Sequence, residues 1–384
     1  MSEQAATPVR RVGAPKILVM GVGSSGSRAV AGMHSLNPEL DAVVIDTDAK
    51  VLEALSIEKT IHVGASVTHG MSSGGDVELG RQSIERDSSG IRMQLRQIDL
   101  LIVVTGLGGG TGSGAVPVIT RIAREAGALV LAMATMPFAF EGKKIARVAE
   151  ESLKRIRTHA DAIIRIPNER LVERKDAELP VEQVFARSHQ VMMDGIFSIG
   201  RLLSRNGVCG LDFACIHTML RNCDGFCHFA SVDGSGEKRA DTVSEGLLKH
   251  RLLNKGLLLE NAAGIVVGIT GGKDLKLSEI ETVMNRLQEK LPDGVWLNFG
   301  VSVDPAFDNR LSVITLVAEA WKEPLVETGN RQMGLRFSRE PFGQGELLLE
   351  SAGKGEFAHV DPTIHNNQDL DVPTYIRRDI KLPR

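Results

Sequence analysis

The sequence predicts an α/β protein with a large parallel-sheet domain, one long central helix and a smaller α/β domain after it. Short apolar runs alternate with amphipathic segments from Lys16 onward, and the runs read "KILVMGVG", "AVVIDTD", "IDLLIVVTG", "LVLAMAT" and "AIIRIPN". Buried strands separated by helices such as "VPVITRIAREAGA" are typical of a parallel sheet that is covered on both faces. One long amphipathic segment and a second set of apolar runs then predict the central helix and the smaller domain.

The central segment runs from Val181 to Arg205, and its apolar residues recur at three- and four-residue steps. This spacing predicts one helix of roughly 37 Å, long enough to connect two domains. After it, "GIVVGITGG", "VWLNFGVSV" and "RLSVITLVAEA" are predicted strands, with the helix "LSEIETVMNRLQEKL" between the first two. We therefore expect a disordered N-terminus over residues 1–14, a first domain over 15–180, the central helix over 181–206, a C-terminal α/β domain over 207–321, a flexible linker over 322–368 and a terminal peptide over 369–384.

Composition excludes several classes of function. Of the 384 residues, 42% are hydrophobic and 24% are charged, which is ordinary for a soluble globular protein. A net charge of −3 gives no electrostatic case for nucleic acid as a partner. We expect no direct membrane insertion and a cytoplasmic location, because no apolar run reaches membrane-spanning length and the N-terminus lacks the apolar core of a signal peptide.

The four cysteines lie close together in the sequence, with two histidines nearby: Cys209, Cys215, Cys223, Cys227, His217 and His228. Such clustering raises the question of a metal site. No CxxC pair occurs, however, and "NCDGFCHFAS" is typical of a turn that leads into a strand. We therefore interpret the cysteines as small buried residues and expect no metal ligands among the side chains.

The stretch "GGGTGSG", Gly108 to Gly114, lies between a predicted strand and a predicted helix. Glycines at such a junction present backbone N–H groups and the positive end of a helix to an anion, and a Cβ would block its close approach. Thr111 and Ser113 add hydroxyl donors. No GKS or GKT follows, so the lysine of a Walker-type loop is absent. The pattern predicts a phosphate site made largely of backbone.

A second glycine loop, "GVGSSG" (Gly21 to Gly26), follows the first predicted strand, and Asp46 ends the next strand. Taken alone, this pattern is the dinucleotide-binding fingerprint, so a nicotinamide-dependent dehydrogenase is one hypothesis. A third glycine-rich stretch, "THGMSSGGDVELGRQ" (Thr68 to Gln82), argues against it. One pyrophosphate does not need three such loops, whereas a nucleoside triphosphate can use all of them.

These loops together resemble the tubulin/FtsZ superfamily and, within it, the bacterial FtsZ family. "GGGTGSG" is that superfamily's signature, and five further matches support it: "DTDA", "MPFAFEG", "IPNERL", "LDFA" and "ITGGKDL". The tail "DLDVPTYIRR", Asp369 to Arg378, resembles the partner-binding peptide of the FtsZ family. The resemblance covers about residues 14–320 plus this tail. It implies the tubulin/FtsZ fold, with a Rossmann-like nucleotide-binding domain, and binding of GTP or GDP, to which the triphosphate charge adds Mg²⁺.

The resemblance also implies a set of site residues. Gly21 to Arg28 and Ser72 to Asp76 would surround the phosphates, Glu141 would contact the ribose, and Asn168 and Phe185 would lie at the base. The complete nucleotide-binding set is Gly21, Gly23, Ser24, Ser25, Gly26, Ser27, Arg28, Asp46, Ser73, Gly74, Gly75, Gly108, Gly109, Gly110, Thr111, Gly112, Ser113, Thr135, Pro137, Glu141, Ile145, Asn168, Phe185 and His189.

Members of the family polymerise head to tail, and an acidic loop after the long helix of one subunit caps the nucleotide of the next. Such a heterologous contact does not close on itself, so filaments are its natural product. Carboxylates of that loop orient the attacking water. The resemblance therefore implies a GTPase that acts between subunits, in a cytoskeletal filament of bacterial cell division located at the division site.

The acidic loop departs from the family pattern. The family has roughly "NLDFAD", and this chain has "GLDFAC", Gly210 to Cys215. Asp212 is kept, Gly210 replaces the amide, and Cys215 replaces the second carboxylate. A thiol is mostly neutral at pH 7 and is a poor acceptor. Because losing a water-positioning group costs about two to four orders of magnitude in rate, we expect slow hydrolysis.

Two further departures fall near the expected nucleotide. His189 stands where the family has the acid that reads guanine, and a neutral imidazole has one acceptor nitrogen where a carboxylate has two oxygens. Ile145 stands where the family places an arginine. Arg147 would face away on a helix, so Lys144 is the better substitute.

The tail provides apolar anchors between charged residues, which is typical of a peptide that orders on a partner. The expected anchor residues are Asp371, Val372, Pro373, Tyr375, Ile376 and Arg377. Membrane-tethering division proteins are the partners that the resemblance implies. Two alternatives stay open: a non-polymerising module that recruits partners through its tail, and a subunit that co-polymerises with a second FtsZ.

Overall fold

The computed structural model describes residues 15–172, 178–204, 211, 213–322, 364–365 and 368–369. The chain divides into two units, Met1–Leu325 and Val326–Arg384. In the second unit the described residues form two short antiparallel strands, Ile364–His365 and Gln368–Asp369. The first of these lies in the predicted linker, and the predicted anchor residues of the tail lie outside the described residues.

The first unit is built on a sheet of ten strands. They are β1 (Ile17–Val22), β2 (Asp41–Asp46), β3 (Thr60–His62), β4 (Leu100–Gly106), β5 (Leu129–Met136), β6 (Ala162–Pro167), β7 (Phe226–Ser235), β8 (Gly264–Gly271), β9 (Trp296–Val303) and β10 (Arg310–Ala318). The order is β3-β2-β1-β4-β5-β6-β7-β10-β8-β9. Strands β1 to β6 are parallel to their neighbours, which confirms the predicted parallel sheet.

The helices of the first unit follow the strands in the predicted alternation. They are α1 (Gly23–Leu36), α2 (Ala49–Glu53), α3 (Ala65–Thr68), α4 (Val77–Arg86), α5 (Ser88–Gln94), α6 (Gly110–Glu125), α7 (Lys143–Arg157), α8 (Val181–Ser204), α9 (Phe213–Asn222), α10 (Arg239–Leu248), α11 (Leu257–Glu260) and α12 (Leu277–Gln288). The long central helix is α8. None of the helices among the described residues combines the length and the apolar character that crossing a bilayer requires.

Helix α6 begins earlier than its sequence predicts. The apolar periodicity starts at Val116, but the helix starts at Gly110 and includes three glycines before Pro117. Glycine disfavours a helix by about 1 kcal/mol per residue relative to alanine. Tertiary packing offsets this cost, because the missing side chains allow α4 to lie directly against the backbone of α6.

Two apolar layers cover the parallel part of the sheet. Alternate side chains of β1 and β4 point to opposite faces: Val19 and Ile102 pack in the layer that includes α1 and α8, and Met20 and Val103 pack in the layer that includes α6. This alternation is the period of two that a strand imposes. A third apolar cluster lies between β8, β10, α10 and α12.

One sheet joins the two halves of this unit. Strand β7 pairs with β6 through only Ile163–Phe226 and Ile164–Cys227, whereas it pairs with β10 from Cys227 to Ser235. The central helix also contacts the C-terminal half. Arg201 of α8 donates to the Ser312 hydroxyl at 3.2 Å, and its guanidinium lies 4.4 Å from the Phe307 ring centroid. The central helix therefore contacts both halves.

A buried arginine connects α10 to α12. Arg239 is 3% exposed, and its guanidinium donates to Glu279 at 2.7 and 2.9 Å and to Asp274 at 2.7 Å. The hydrogen bonds from Arg239 are the main cause that lowers the pKa of Glu279. Since the folded pKa lies below the ordinary 4.5, this contribution to stability is present above pH 4.5 and is lost as the pH falls through the folded value.

We expect Glu279→Gln to lower the free energy of unfolding at pH 7 by about 2 kcal/mol, because Arg239 loses its charged partner. The difference from the original protein should shrink below pH 4.5, where the carboxylate itself becomes protonated. Urea unfolding, monitored by tryptophan fluorescence at pH 7 and below pH 4.5, measures the loss of stability and its dependence on pH. Trp296 and Trp321 lie in the same half of the protein as Glu279 and report its unfolding. Glu281→Gln, at an exposed position of α12, is the matched control, and an equal effect of the two substitutions would contradict this account.

Candidate functional site

A cleft of about 360 Å³ opens where β1, β4 and β5 end. The carboxyl ends of parallel strands are where open α/β sheets bind their ligands. Its lining residues are Gly23, Ser24, Ser25, Arg28, Ser72, Ser73, Gly75, Gly106, Leu107, Gly109, Gly110, Thr111, Gly112, Thr135, Pro137, Glu141, Asn168, Phe185, Ser188 and His189. All three predicted glycine loops thus meet in one place.

Some residues of the predicted set do not line this cleft, and one of them, Gly74, is exposed beside the lining residue Gly75. The residues of the set that do not line the cleft are Gly21, Gly26, Ser27, Asp46, Gly74, Gly108, Ser113 and Ile145. Conversely, Gly106, Leu107 and Ser188 line the cleft without having been predicted. A sequence signal existed for Ser188, because it lies one helical turn after Phe185 and therefore on the same face of α8.

The glycines of "GGGTGSG" have different roles. A Cβ on Gly109 would meet nothing within 4 Å, so this residue alone of the run opens directly into free space. A Cβ on Gly110 would lie 2.5 Å from the Asp76 carbonyl oxygen, and one on Gly112 would lie 2.5 Å from the Thr105 hydroxyl. Gly114 packs against the backbone of α4 at Val77. Most of these glycines therefore allow close packing, and Gly109 leaves the space that a phosphate would fill.

Hydrogen bonds within the loop fix its shape. Gly108 has a φ of +109°, which favours glycine, and its N–H donates to the Ser113 hydroxyl at 2.9 Å. Ser113 is fully buried. Its hydroxyl is therefore an acceptor for the loop backbone. Ser113 does not line the cleft, so its predicted role as a hydrogen-bond donor to a ligand stays a prediction.

The first loop combines packing and ligand-facing residues in the same way. A Cβ on Gly21 would lie 2.7 Å from the Gly26 carbonyl oxygen, and a Cβ on Gly26 would collide with the Val104 carbonyl. Gly23 has a φ of +72° and lies against Gly112, so the first loop and the signature loop touch. Ser24 and Ser25 follow at the N-terminus of α1 and line the cleft.

Asp46 holds this loop in place. It is 1% exposed, and its carboxylate accepts from the Thr47 N–H at 2.7 Å and from the Ser24 hydroxyl at 3.2 Å. Burial raises the pKa of Asp46 against the opposing effect of these hydrogen bonds. The acid of a dinucleotide fingerprint must be reachable by the ribose. A buried and fully bonded Asp46 does not meet that need, which weakens the dehydrogenase hypothesis.

The third loop lies against the N-terminus of α6. The Ser73 hydroxyl lies 3.0 Å from the Thr111 hydroxyl. Asp76 caps α4 by accepting from the Glu78 N–H at 2.8 Å. Gly74 and Gly75 have positive φ values, and a Cβ on either would meet nothing within 4 Å. The loop therefore has one firmly held side and one open side.

The other end of the cleft is aromatic and polar. The Phe185 ring meets the edge of Phe138 at 5.5 Å between centroids, and Phe138 stacks on Phe140 at 5.0 Å. The buried Ser188 hydroxyl donates to the Asn168 side-chain oxygen at 2.8 Å. An apolar platform next to amide groups suits a flat heteroaromatic base.

His189 is half-buried at this end. Burial lowers the pKa of His189, and the positive charge of Arg28 lowers it further. The imidazole is therefore neutral at pH 7, with one donor and one acceptor nitrogen. Arg28 itself lines the cleft and brings a positive charge close to it.

Glu141 and the start of α7 form the remaining wall. One Glu141 oxygen accepts from the Phe138 N–H at 2.8 Å, which leaves the other oxygen for a ligand. Ile145 packs against Gly108, because a Cβ added to Gly108 would lie 2.5 Å from the Ile145 side chain. Arg147 is 82% exposed on its side chain and pairs with Glu151 at 2.8 Å. The exposed Lys144 does not line the cleft either.

Of the three predicted hydrolytic residues the structure describes Cys215, and it does not line this cleft. Gly210 and Asp212 lie outside the described residues, and Cys215 lies half-buried in the first turn of α9. Cys223 and Cys227 are buried with their sulfur atoms 3.4 Å apart, whereas Cys209 lies outside the described residues. Among the residues that the structure describes, no group of three or more histidine, cysteine or acidic side chains could hold a metal ion.

This geometry defines a class of protein: a nucleotide-binding α/β protein in which three glycine-rich loops and a long central helix line one cleft at the carboxyl ends of parallel strands. The model of the Tubulin/FtsZ family, GTPase domain, matches residues 16–176, and that of the FtsZ family, C-terminal domain, matches residues 225–320. The chain belongs to the FtsZ family. It is a GTP-binding cytoskeletal protein of cell division.

Relatives and solved structures agree with this assignment. The cell division protein FtsZ of Buchnera aphidicola subsp. Acyrthosiphon pisum is 32% identical over 94% of this chain and 96% of its own, and that of Wigglesworthia glossinidia brevipalpis is 33% identical over 96% and 98%. An empty FtsZ dimer from M. jannaschii superposes with a TM-score of 0.72 at 27% identity, over 83% of this chain and 94% of that one. CetZ2 from Haloferax volcanii, as a GTPγS-bound protofilament, shares the fold at 21% identity and a TM-score of 0.65, over 79% of this chain and 92% of that one.

We expect Gly109→Ala to weaken GTP and GDP binding at least about tenfold, because the new methyl group would occupy the space left for a phosphate and displace its backbone donors. Stability should not change, since Gly109 has the ordinary φ of −82° and ψ of 169° and a Cβ there meets no protein atom. Gly90→Ala in α5 adds a methyl group to equally open space outside the cleft and is the control. Titration with a fluorescent GDP measures binding, and urea unfolding measures stability. Unchanged affinity in Gly109→Ala would mean that the phosphates lie elsewhere.

Proposed function

We propose that GTP lies in the cleft with its phosphates over the three glycine loops and its base between Phe185 and His189. The observation that carries this proposal is the open space at Gly109, Gly74 and Gly75 beside the N-terminus of α6. The positive end of that helix and the exposed N–H groups favour an anion there. Mg²⁺ would accompany the triphosphate and would take phosphate oxygens and water as its main ligands, because the Asp46 carboxylate is buried and already accepts hydrogen bonds from Thr47 and Ser24.

The protein assembles head to tail, in the cytoplasm at the division site, and hydrolyses GTP where two subunits meet. The dimer and protofilament of the structural relatives support this assembly. The terminal peptide over 369–384 attaches the filament to membrane-tethering division proteins. The match to the two FtsZ relatives, over 94% and 96% of this chain, supports these assignments.

Hydrolysis is slow because Cys215 replaces a water-orienting carboxylate. A neutral thiol accepts hydrogen bonds poorly and cannot polarise water as a carboxylate does. Cys215 lies on α9, apart from the residues that line the cleft. Its substitution therefore leaves nucleotide binding intact and lowers only the rate of the chemical step.

Sedimentation of the purified protein with GTP and Mg²⁺ tests assembly and chemistry together when released phosphate is followed in the same samples. We expect polymer with very little phosphate. Cys215→Asp should raise phosphate release by about 100-fold or more, because it restores a carboxylate at the interface. Cys215→Asn is the matched control with the same shape and no charge, and it should stay slow. Brisk hydrolysis by the original protein would contradict the role given to Cys215, and the absence of polymer with GTP would contradict head-to-tail assembly.

Guanine recognition is also weakened. Guanine presents two neighbouring donors, N1–H and the N2 amino group, and a carboxylate accepts both. The neutral His189 imidazole accepts only one of them. The N2 amino group therefore contributes little to binding, so nucleotides with and without it bind alike.

We expect GTP and inosine triphosphate, which lacks the N2 amino group, to bind with affinities within about threefold of each other, and His189→Asp to favour GTP by about tenfold. The ratio of the two affinities removes any effect of phosphate titration, because the triphosphates are identical. Ala186→Asp places the same charge on an exposed position of α8 and is the control. Competition against a fluorescent GDP measures both ligands. A strong preference of the original protein for GTP would show that another group reads the amino group.

A further inference from the structure

Three buried hydroxyl groups form a continuous chain beside the cleft. The Thr111 hydroxyl lies 2.8 Å from the Thr47 hydroxyl and 3.0 Å from the Ser73 hydroxyl. The residues come from three separate loops, after β2, before α4 and at the N-terminus of α6, and are 0%, 4% and 7% exposed in that order. Thr111 and Ser73 line the cleft, and Thr47 does not.

The number of hydroxyl protons determines the direction of donation along these hydrogen bonds. Three hydroxyl groups carry three protons, and the two contacts use two of them. The Thr47 hydroxyl is fully buried and contacts only Thr111 among the described residues, so its proton goes to Thr111. Whichever way the Thr111–Ser73 contact is oriented, the third proton then belongs to a hydroxyl that faces the cleft.

Thr47 is itself firmly held. Its N–H donates to Asp46 at 2.7 Å, and its carbonyl oxygen lies 3.0 Å from His62 Nε2. A donor fixed in this way restricts the orientation of the Thr111 hydroxyl and polarises it, because hydrogen bonds in a chain strengthen one another.

We propose that Thr47 is a positioning residue for the phosphates: it donates to Thr111 and so fixes and polarises the Thr111–Ser73 pair, whose remaining O–H proton faces an anion in the cleft. This inference rests on the proposed binding of GTP in that cleft. It assigns a function to a residue that touches no ligand and lies far in sequence from the loop it orients.

The main test is Thr47→Val, which keeps the shape and removes the hydroxyl. GDP and GTP should bind about threefold to tenfold more weakly, because the Thr111 hydroxyl loses the donor that orients and polarises it, although one proton of the Thr111–Ser73 pair still faces the cleft. Guanosine, which has no phosphate, should bind as before, and Thr47→Ser should restore the GDP affinity to within about twofold. The control is Thr120→Val, which removes another fully buried hydroxyl of the same kind, bonded to Pro117 and remote from the cleft.

Competition against a fluorescent GDP measures all of these affinities, with urea unfolding to compare stability. Equal GDP affinity of Thr47→Val and the original protein would overturn the inference, and so would an equal loss for guanosine, since that indicates a general distortion. If the original protein binds neither GTP nor GDP, the proposed function fails instead.

A second pair of variants applies if Thr47→Val does not fold. Ser73→Ala leaves Thr47 donating to Thr111 and the Thr111 proton free for the anion, so GDP affinity should fall by less than about threefold. Thr111→Val removes the hydroxyl that Thr47 orients and leaves only a Ser73 hydroxyl without its hydrogen-bonding neighbour at the cleft, so it should cost at least fivefold more than Ser73→Ala. Equal losses in the two variants would overturn the proposed direction of the chain.

Discussion

The direct contact between the backbones of α4 and α6 is the constraint on which the cleft depends. Gly80 lies against the Gly110 carbonyl and Gly114 against the Val77 carbonyl, with no room for a Cβ at either. This approach brings the loop before α4 within hydrogen-bonding distance of Thr111. The glycines that make the contact possible are poor helix formers, so the first turns of α6 exist because of the packing and not because of local preference.

That dependence decides how much of the fold could be predicted from the sequence. Strands buried on both faces are visible as apolar runs, so the parallel sheet, the central helix and the C-terminal strands were predictable. The start of α6 at Gly110 was not, because its stabilising partner is another helix. The pairing of β6 with β7 was not either, since it rests on two residue pairs, Ile163–Phe226 and Ile164–Cys227, that leave no periodic signal.

The site, like the fold, was predictable where the signal is local in the sequence and not where it depends on contacts between distant segments. Glycine loops after strands are a local signal, and they located the cleft. Which glycine faces open space depends on the atoms around it, and only the folded chain distinguishes Gly109 from Gly110. Thr47 and Thr111 are separated by 64 residues, so no spacing in the sequence connects them. Asp46 fitted a ligand-binding fingerprint, but its burial makes it part of the scaffold.

The cleft and the position of Cys215 are physically separate among the described residues. The ligand-facing residues are held by internal hydrogen bonds, such as Ser24 to Asp46 and Ser188 to Asn168, that form within one chain and need no neighbour. Cys215 lies half-buried on α9, and the cleft is complete without it. No residue that lines the cleft depends on an acidic side chain at that position. The thiol of Cys215 is therefore compatible with the fold and with the cleft, and the effect proposed for it would fall on the chemical step and not on the shape of the cleft.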